Sequence, residues 1–173
     1  METYGDRLKT IIPYTTRPRR EGEQDGREYH FVREEDFERE KEAGRIIEDR
    51  SYNTVQGLWR YFTVNDGAFD GGQDVLLIGT LEVYLSLKRY FKGKNKVIPI
   101  YIECDDGDRL IRAVNREKKR EIPQYRELCR RFISDDEDFS EEKLKEAGVE
   151  IRIYNNELSE CVSKVADVIF YGH

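Results

Sequence analysis

TTRPRREGEQDGREYHF, residues 15–31, sets Arg17, Arg19 and Arg20 against Glu21, Glu23 and Asp25. Pro18, Gly22 and Gly26 interrupt regular structure through its middle, and Tyr29 and Phe31 restore an alternating pattern at its end. Arg17 and Arg20 stand three residues apart. Two guanidinium forks at that spacing can converge on one phosphate, because each offers paired planar donors matched to phosphate oxygens. Tyr29 can add a hydroxyl to the same group. The alternative is a polar surface loop of mixed charge, which is what arginine and glutamate most often mean. The order of residue types favours a shaped anion site.

Working outward, the 173 residues suit one domain, long enough to bury a core and to carry a small inserted lobe. The chain is 38% hydrophobic and 38% charged, with a mean hydropathy of −0.81, yet eleven Tyr and eight Phe supply the bulk for a folded domain. A net charge of −6 argues against a general nucleic-acid binder, so any anion must be held by local basic clusters such as Arg17 to Arg20, Arg116 to Arg120 and Arg130 with Arg131. Cys104, Cys129 and Cys161 are expected to be reduced core thiols. The N-terminus lacks an apolar signal core and no apolar run reaches membrane-spanning length, so a cytoplasmic location with no membrane partner is expected.

Residues 9–16 read as one strand that delivers Arg17 at its end, with Pro13 at an irregular position. Residues 28–32 read as a second strand and 34–44 as a short amphipathic helix ending at Gly44. A strand over 45–52 pairs with 61–64, giving a small mixed β lobe over residues 28–64. Residues 74–79 and 97–102 are continuous apolar runs of the buried parallel type, and a helix over 81–91 between them predicts a right-handed βαβ unit. A basic turn joins two helices over 106–134. A short helix over 138–148, a strand over 149–154 and a helix capped by Asn156 complete the pattern. Glu48 follows two isoleucines. It is either a strand's solvent face or a ligand contact, and as a contact it could select guanine, whose N1–H and exocyclic amine a carboxylate can accept where adenine presents an acceptor.

The segment 15–31 resembles the GMP-binding segment of guanylate kinases, in which TTR is followed by a nearby Pro and Arg, then GE, a Gly and YxF. The likeness runs from about residue 9 to residue 170. It implies an α/β fold of the P-loop NTPase type, a parallel sheet with flanking helices and an inserted GMP-binding lobe, in one domain over residues 1–173. IIED stands where the family has FIEW, so the resemblance makes Glu48 the reader of the base. Tyr61 and Thr63 fall at the family's phosphate-contacting tyrosine and its serine or threonine against guanine O6, although Phe62 replaces a glycine and Pro13 a serine. The GMP site implied is therefore Arg17, Arg20, Glu23, Tyr29, Glu48, Tyr61 and Thr63. Arg116 and Arg131 match the lid arginines that reach the transferring phosphates over the hairpin 106–134. IRIYNNEL resembles VIVNDDL, which puts Asn155 toward the ATP base.

No GxxxxGK[ST] occurs in the 173 residues. In the family that loop cradles the ATP phosphates and supplies the hydroxyl that binds magnesium, on a strand and helix just before the position of Tyr4. The chain is expected to begin after them. The resemblance implies phosphoryl transfer from ATP to GMP giving ADP and GDP, with Mg2+ accompanying ATP and no metal site of the protein's own. Without the loop that transfer is expected to be impaired, and ATP is a partner only if the loop is supplied. The alternative is a non-catalytic module that uses the pocket for GMP or a phosphopeptide, as scaffold proteins with guanylate-kinase-like domains do. Uncovered apolar strands add the expectation of a homodimer.

Overall fold

The computed structural model describes residues 8–54, 57–70, 72–94 and 96–172. The chain divides into two compact units, residues 1–96 and 97–173. The first contains β1 (Lys9–Ile11), β2 (Tyr14–Thr15), β3 (His30–Phe31), α1 (Glu34–Glu42), β4 (Ile46–Thr54), β5 (Gly57–Val64), β6 (Val75–Leu77) and α2 (Leu81–Tyr90). The second contains β7 (Ile100–Glu103), α3 (Asp106–Glu117), α4 (Tyr125–Asp138), α5 (Glu141–Ala147), β8 (Ile151–Tyr154) and α6 (Leu158–Tyr171).

The strand expected over residues 9–16 is two strands in two sheets. β1 pairs in parallel with β6, Thr10 opposite Leu76, whereas β2 enters a four-stranded sheet of order β3-β2-β5-β4. Pro13 explains the break: it has no N–H for a ladder, and its carbonyl instead accepts from His30 N at 2.9 Å. β2 runs parallel to β3 and antiparallel to β5, and the long β4–β5 hairpin forms the other side. α1 lays Phe37 on this sheet, where Phe37, Phe62 and Val64 make a buried cluster bordered by Tyr14, Val32 and Ile46. Phe37 and Phe62 meet edge to face at 5.0 Å, an arrangement favoured by the ring quadrupoles.

In the second unit β7 and β8 run parallel, Ile102 opposite Ile153. Among the described residues β6 pairs with β1 and β7 with β8, and no ladder is recorded between the runs 74–79 and 97–102. β7 starts only at Ile100, because Pro99 before it cannot donate to a ladder. Leu144, Val149, Ile153 and Cys161 are buried in this unit. Cys104 is half-buried and Cys129 exposed, so Cys161 alone is a core thiol. The reason is that α4 buries no residue; its apolar positions Tyr125 and Ile133 stay exposed. α3 meets α4 through Arg109, whose guanidinium lies 4.2 Å from the Phe132 ring centre. α6 is capped by Glu157 and not by Asn156: the Glu157 carboxylate folds back to accept from the N–H groups of Ser159 (2.9 Å) and Glu160 (3.2 Å). Among the described residues no helix is long and apolar enough to cross a membrane.

Candidate nucleotide site

The hairpin β4–β5 sorts its side chains onto two faces, and a β-bulge sets the sorting. Ile46 lies opposite Val64 and Glu48 opposite Thr63, so Ile47 is an extra residue on β4. In a regular strand residues 46 and 48 would share a face. The bulge puts them on opposite ones, Ile46 with Phe62 and Val64 against α1, and Glu48 with Thr63 on the other. From Glu48 the alternation continues through Arg50 opposite Tyr61 and Tyr52 opposite Trp59, which gives this face its polar and aromatic character.

Glu48 is only 8% exposed and Thr63 is buried beside it. Thr63 Oγ1 donates to Glu48 Oε1 at 2.6 Å, and Arg50 Nε donates to Glu48 Oε2 at 3.2 Å. The carboxylate is therefore held at both oxygens. Arg50 also donates from Nη1 to Thr80 Oγ1 at 3.3 Å, which ties β4 to the N-cap residue of α2. Tyr61 packs edge-on against Tyr52 at 5.6 Å and against Tyr29 at 5.5 Å. Tyr29 thus joins the same face from the end of the arginine loop.

That loop is anchored by its two threonines. Thr15 Oγ1 donates to Arg60 O at 2.8 Å and Thr16 Oγ1 accepts from Arg60 N at 3.0 Å, while the N–H of Arg17 donates to Thr15 Oγ1 at 3.2 Å. Arg17 follows into the interior, 3% exposed, with its guanidinium 5.6 Å from the Tyr29 ring and 5.4 Å from that of Phe31. Its forked donors do not face an open anion position. Nη1 and Nη2 hold Glu23 at 2.9 and 2.8 Å, and the N–H of Arg20 donates to the same carboxylate at 2.7 Å. Arg17 and Arg20 thus converge on Glu23. Burial works against the charge of Arg17, but hydrogen bonds with Glu23 and Tyr61 outweigh it and raise its pKa. The Arg17 bond holds the Glu23 carboxyl below its ordinary range against burial, with help from the Arg20 N–H. Burial pushes the Tyr29 phenol up, Tyr61 adds to that, and Arg17 and Arg50 pull it back.

The remaining sequence candidates lie in the second unit. Arg116 is exposed in the last turn of α3. Arg131 on α4 donates to Glu127 Oε1 at 2.8 Å, and Arg130 takes both oxygens of Glu127 at 2.9 and 2.8 Å. Asn155 follows β8; its N–H donates to Glu103 O at 2.7 Å and its carbonyl accepts from Arg112 at 3.2 Å. The structure therefore brings Arg17, Glu23, Tyr29, Glu48, Tyr61 and Thr63 onto one sheet and its loop, with Arg20 joining through its backbone.

A family model described as guanylate kinase matches residues 1–171 of the chain. The chain belongs to the guanylate kinase family. Among its relatives, the guanylate kinase of Thermotoga maritima is 32% identical over 89 residues, 51% of this chain and 42% of that protein. Disks large homolog 4 of Danio rerio is 42% identical over 55 residues, 31% of this chain and 7% of that protein. The chain thus spans under half the length of these relatives. A crystal structure of guanylate kinase from Anaplasma phagocytophilum superposes with a TM-score of 0.67 at 20% identity, covering 99% of this chain and 78% of that one. At that identity the likeness speaks for the fold, an α/β architecture of the P-loop NTPase type.

Guanylate kinases generally use Mg2+ with ATP. Among the described residues no group of three or more His, Cys, Asp or Glu side chains is placed to hold a metal. The residue that sequence reading passed over is Arg50. Its spacing of two from Glu48 on a strand was the available signal, since alternate residues share a face.

Proposed function

We propose that this guanylate kinase family chain binds GMP on the Glu48 face of the four-stranded sheet. Guanine lies against Glu48 and Thr63, and the phosphate is held toward Tyr29, Tyr61 and the arginine loop. The observation that carries this reading is the buried Glu48 carboxylate, fixed at Oε1 by Thr63 and at Oε2 by Arg50. Burying a carboxylate is costly, and one held rigid on a sheet face with acceptor capacity left over suits a ligand that brings two N–H donors. For phosphoryl transfer, Arg116 and Arg131 are proposed to meet the transferring phosphates and Asn155 the ATP base side. The sequence of 173 residues holds no GxxxxGK[ST] donor cradle.

Titration calorimetry of the chain with GMP and AMP tests the reading. GMP binds more tightly, and Glu48→Ala removes the preference, an effect of about 2 to 3 kcal/mol for a buried polar partner left unpaired. Equal affinities in the unsubstituted chain overturn it. The likeness to Disks large homolog 4 favours a second reading, a phosphopeptide module. A phosphoserine peptide that competes with GMP, and whose binding survives Glu48→Ala, would favour it.

A further inference from the structure

We propose that Arg50 is a positioning residue for guanine selectivity: it locks the Glu48 carboxylate in the orientation that accepts the 2-amino group and N1–H of the base. The inference rests on the GMP reading above and goes beyond it to a residue outside the resemblance. Arg50 lies on β4 on the same face as Glu48, opposite Tyr61, with its side chain 14% exposed. It makes two contacts with different roles. Nε donates to Glu48 Oε2 at 3.2 Å, and Nη1 donates to Thr80 Oγ1 at 3.3 Å, thirty residues along the chain. Thr80 is itself fixed, because it is the N-cap of α2 and its hydroxyl oxygen also accepts from Val83 N. Arg50 is therefore a strut with one end in a helix cap and the other on the carboxylate.

The strut matters because of how a glutamate side chain behaves. Its terminal torsion is broad, so a carboxylate held at one oxygen can still turn about that bond. Thr63 holds Oε1. With Arg50 on Oε2 the plane is fixed before a ligand arrives, and binding does not have to order it. The acceptor count also works. An ionised carboxylate offers about four acceptor positions; Thr63 and Arg50 take one on each oxygen, which leaves one on each for N1–H and the exocyclic amine of guanine. Hypoxanthine keeps N1–H and lacks the amine, and adenine presents an acceptor at N1. The ratio of GMP to IMP affinity therefore reads the orientation of the carboxylate.

The test measures binding of GMP, IMP and AMP by calorimetry to the full chain, to Arg50→Met and to Arg50→Lys, with Trp59 fluorescence checking that each variant is folded. Arg50→Met keeps the aliphatic stem and removes both donors. It is expected to lower the GMP to IMP ratio about tenfold, or about 1.4 kcal/mol, while AMP affinity stays within about twofold. Arg50→Lys, with one donor centre in place of a fork, recovers part of the ratio. An equal loss for all three nucleotides means that Arg50 supplies only general attraction or structure, and overturns the proposal. So does an unchanged ratio. If Arg50→Met does not fold, Thr80→Val decides, since it leaves the Arg50–Glu48 pair and removes the far anchor: the ratio should fall about threefold, and no change overturns the proposal. A full chain with no preference for GMP over AMP overturns the GMP reading itself, and this inference with it.

Discussion

Replacing Glu23 by Ala should destabilise the first unit by about 2 to 4 kcal/mol, because it strands a buried charge. The magnitude follows from what Glu23 holds. It accepts Nη1 and Nη2 of Arg17 and the N–H of Arg20, all within 2.9 Å, and its own side chain is 18% exposed against 3% for Arg17. Arg17 Nε already has no partner. Without Glu23 the guanidinium keeps Pro18 O at 2.9 Å and its place beside the Tyr29 and Phe31 rings, far less than its charge requires. The lower end of the range allows for water reaching the site as the exposed loop relaxes. The single tryptophan, Trp59 on β5, reports the sheet to which this loop is anchored, so urea denaturation followed by its fluorescence measures the loss. Adding Arg17→Met to Glu23→Ala should restore part of it, since the charge is then gone. A change below about 0.5 kcal/mol, the ordinary range for a surface substitution, would refute the idea that the pair is a buried clamp. The pH dependence has a defined sign. Because the folded pKa of Glu23 lies below its ordinary 4.5, the clamp contributes stability above that value and loses it as pH falls through the folded pKa. Glu23→Gln should flatten that part of the profile.

Other outcomes follow from separate parts of the chain. Gly79→Ala should cost about 1 to 3 kcal/mol by overpacking, since an added Cβ would lie 2.8 Å from Val83 Cγ1 and 3.2 Å from Leu77 Cδ2; an unchanged urea midpoint would show that α2 gives way freely. In the second unit, the hydrogen bond from Arg130 outweighs burial and, with Arg131, holds Glu127 at about 2. Its stabilising contribution is therefore present above about 4.5 and fades as pH drops toward 2, by less than about 1 kcal/mol because solvent screens the pair; a Glu127→Gln variant with the same acid profile as the unsubstituted chain would exclude it. In a coupled assay at saturating ATP and GMP, the 173 residues alone should turn over far below about 1 to 100 per second, the usual range for kinases; ordinary turnover would mean that the donor phosphates are held in another way.

Helices and hairpins were legible because their apolar spacing is local. Phe37 within a charged run marked α1, and the β-branched and aromatic content of residues 45–64 marked a hairpin, although its strands extend farther than its apolar core does. What could not be read is whatever depends on a choice among equal partners. Pro13 signalled an irregularity, but nothing local says that β1 and β2 belong to different sheets. Glu21, Glu23 and Asp25 are similar acceptors in the sequence, and only the turn from Arg20 to Glu23 selects the one that Arg17 grips. Glu48 was singled out, yet its two anchors lie fifteen and two residues away, and the second needed only the strand's alternation.

The two faces of the four-stranded sheet divide the buried core from the proposed GMP surface, and β5 is where they meet. Phe62 faces α1 and meets Phe37 edge to face, and Arg60 lies on that side too, 4.3 Å from the Phe37 ring centre. Thr63, the next residue, points the other way and bonds Glu48. A strand that alternates can serve both faces only if its register is fixed, because a slip of one residue would exchange them. Three features fix it here. The Ile47 bulge sets the phase of β4, the Thr15 and Thr16 hydroxyls clip the backbone of Arg60, and Phe62 fills the core. Phe62 stands where the resemblance expects a glycine, so the aromatic ring that anchors this register lies directly beside the residue proposed to touch guanine. The core of the lobe and the face proposed to take guanine are thus set by adjacent residues of one strand.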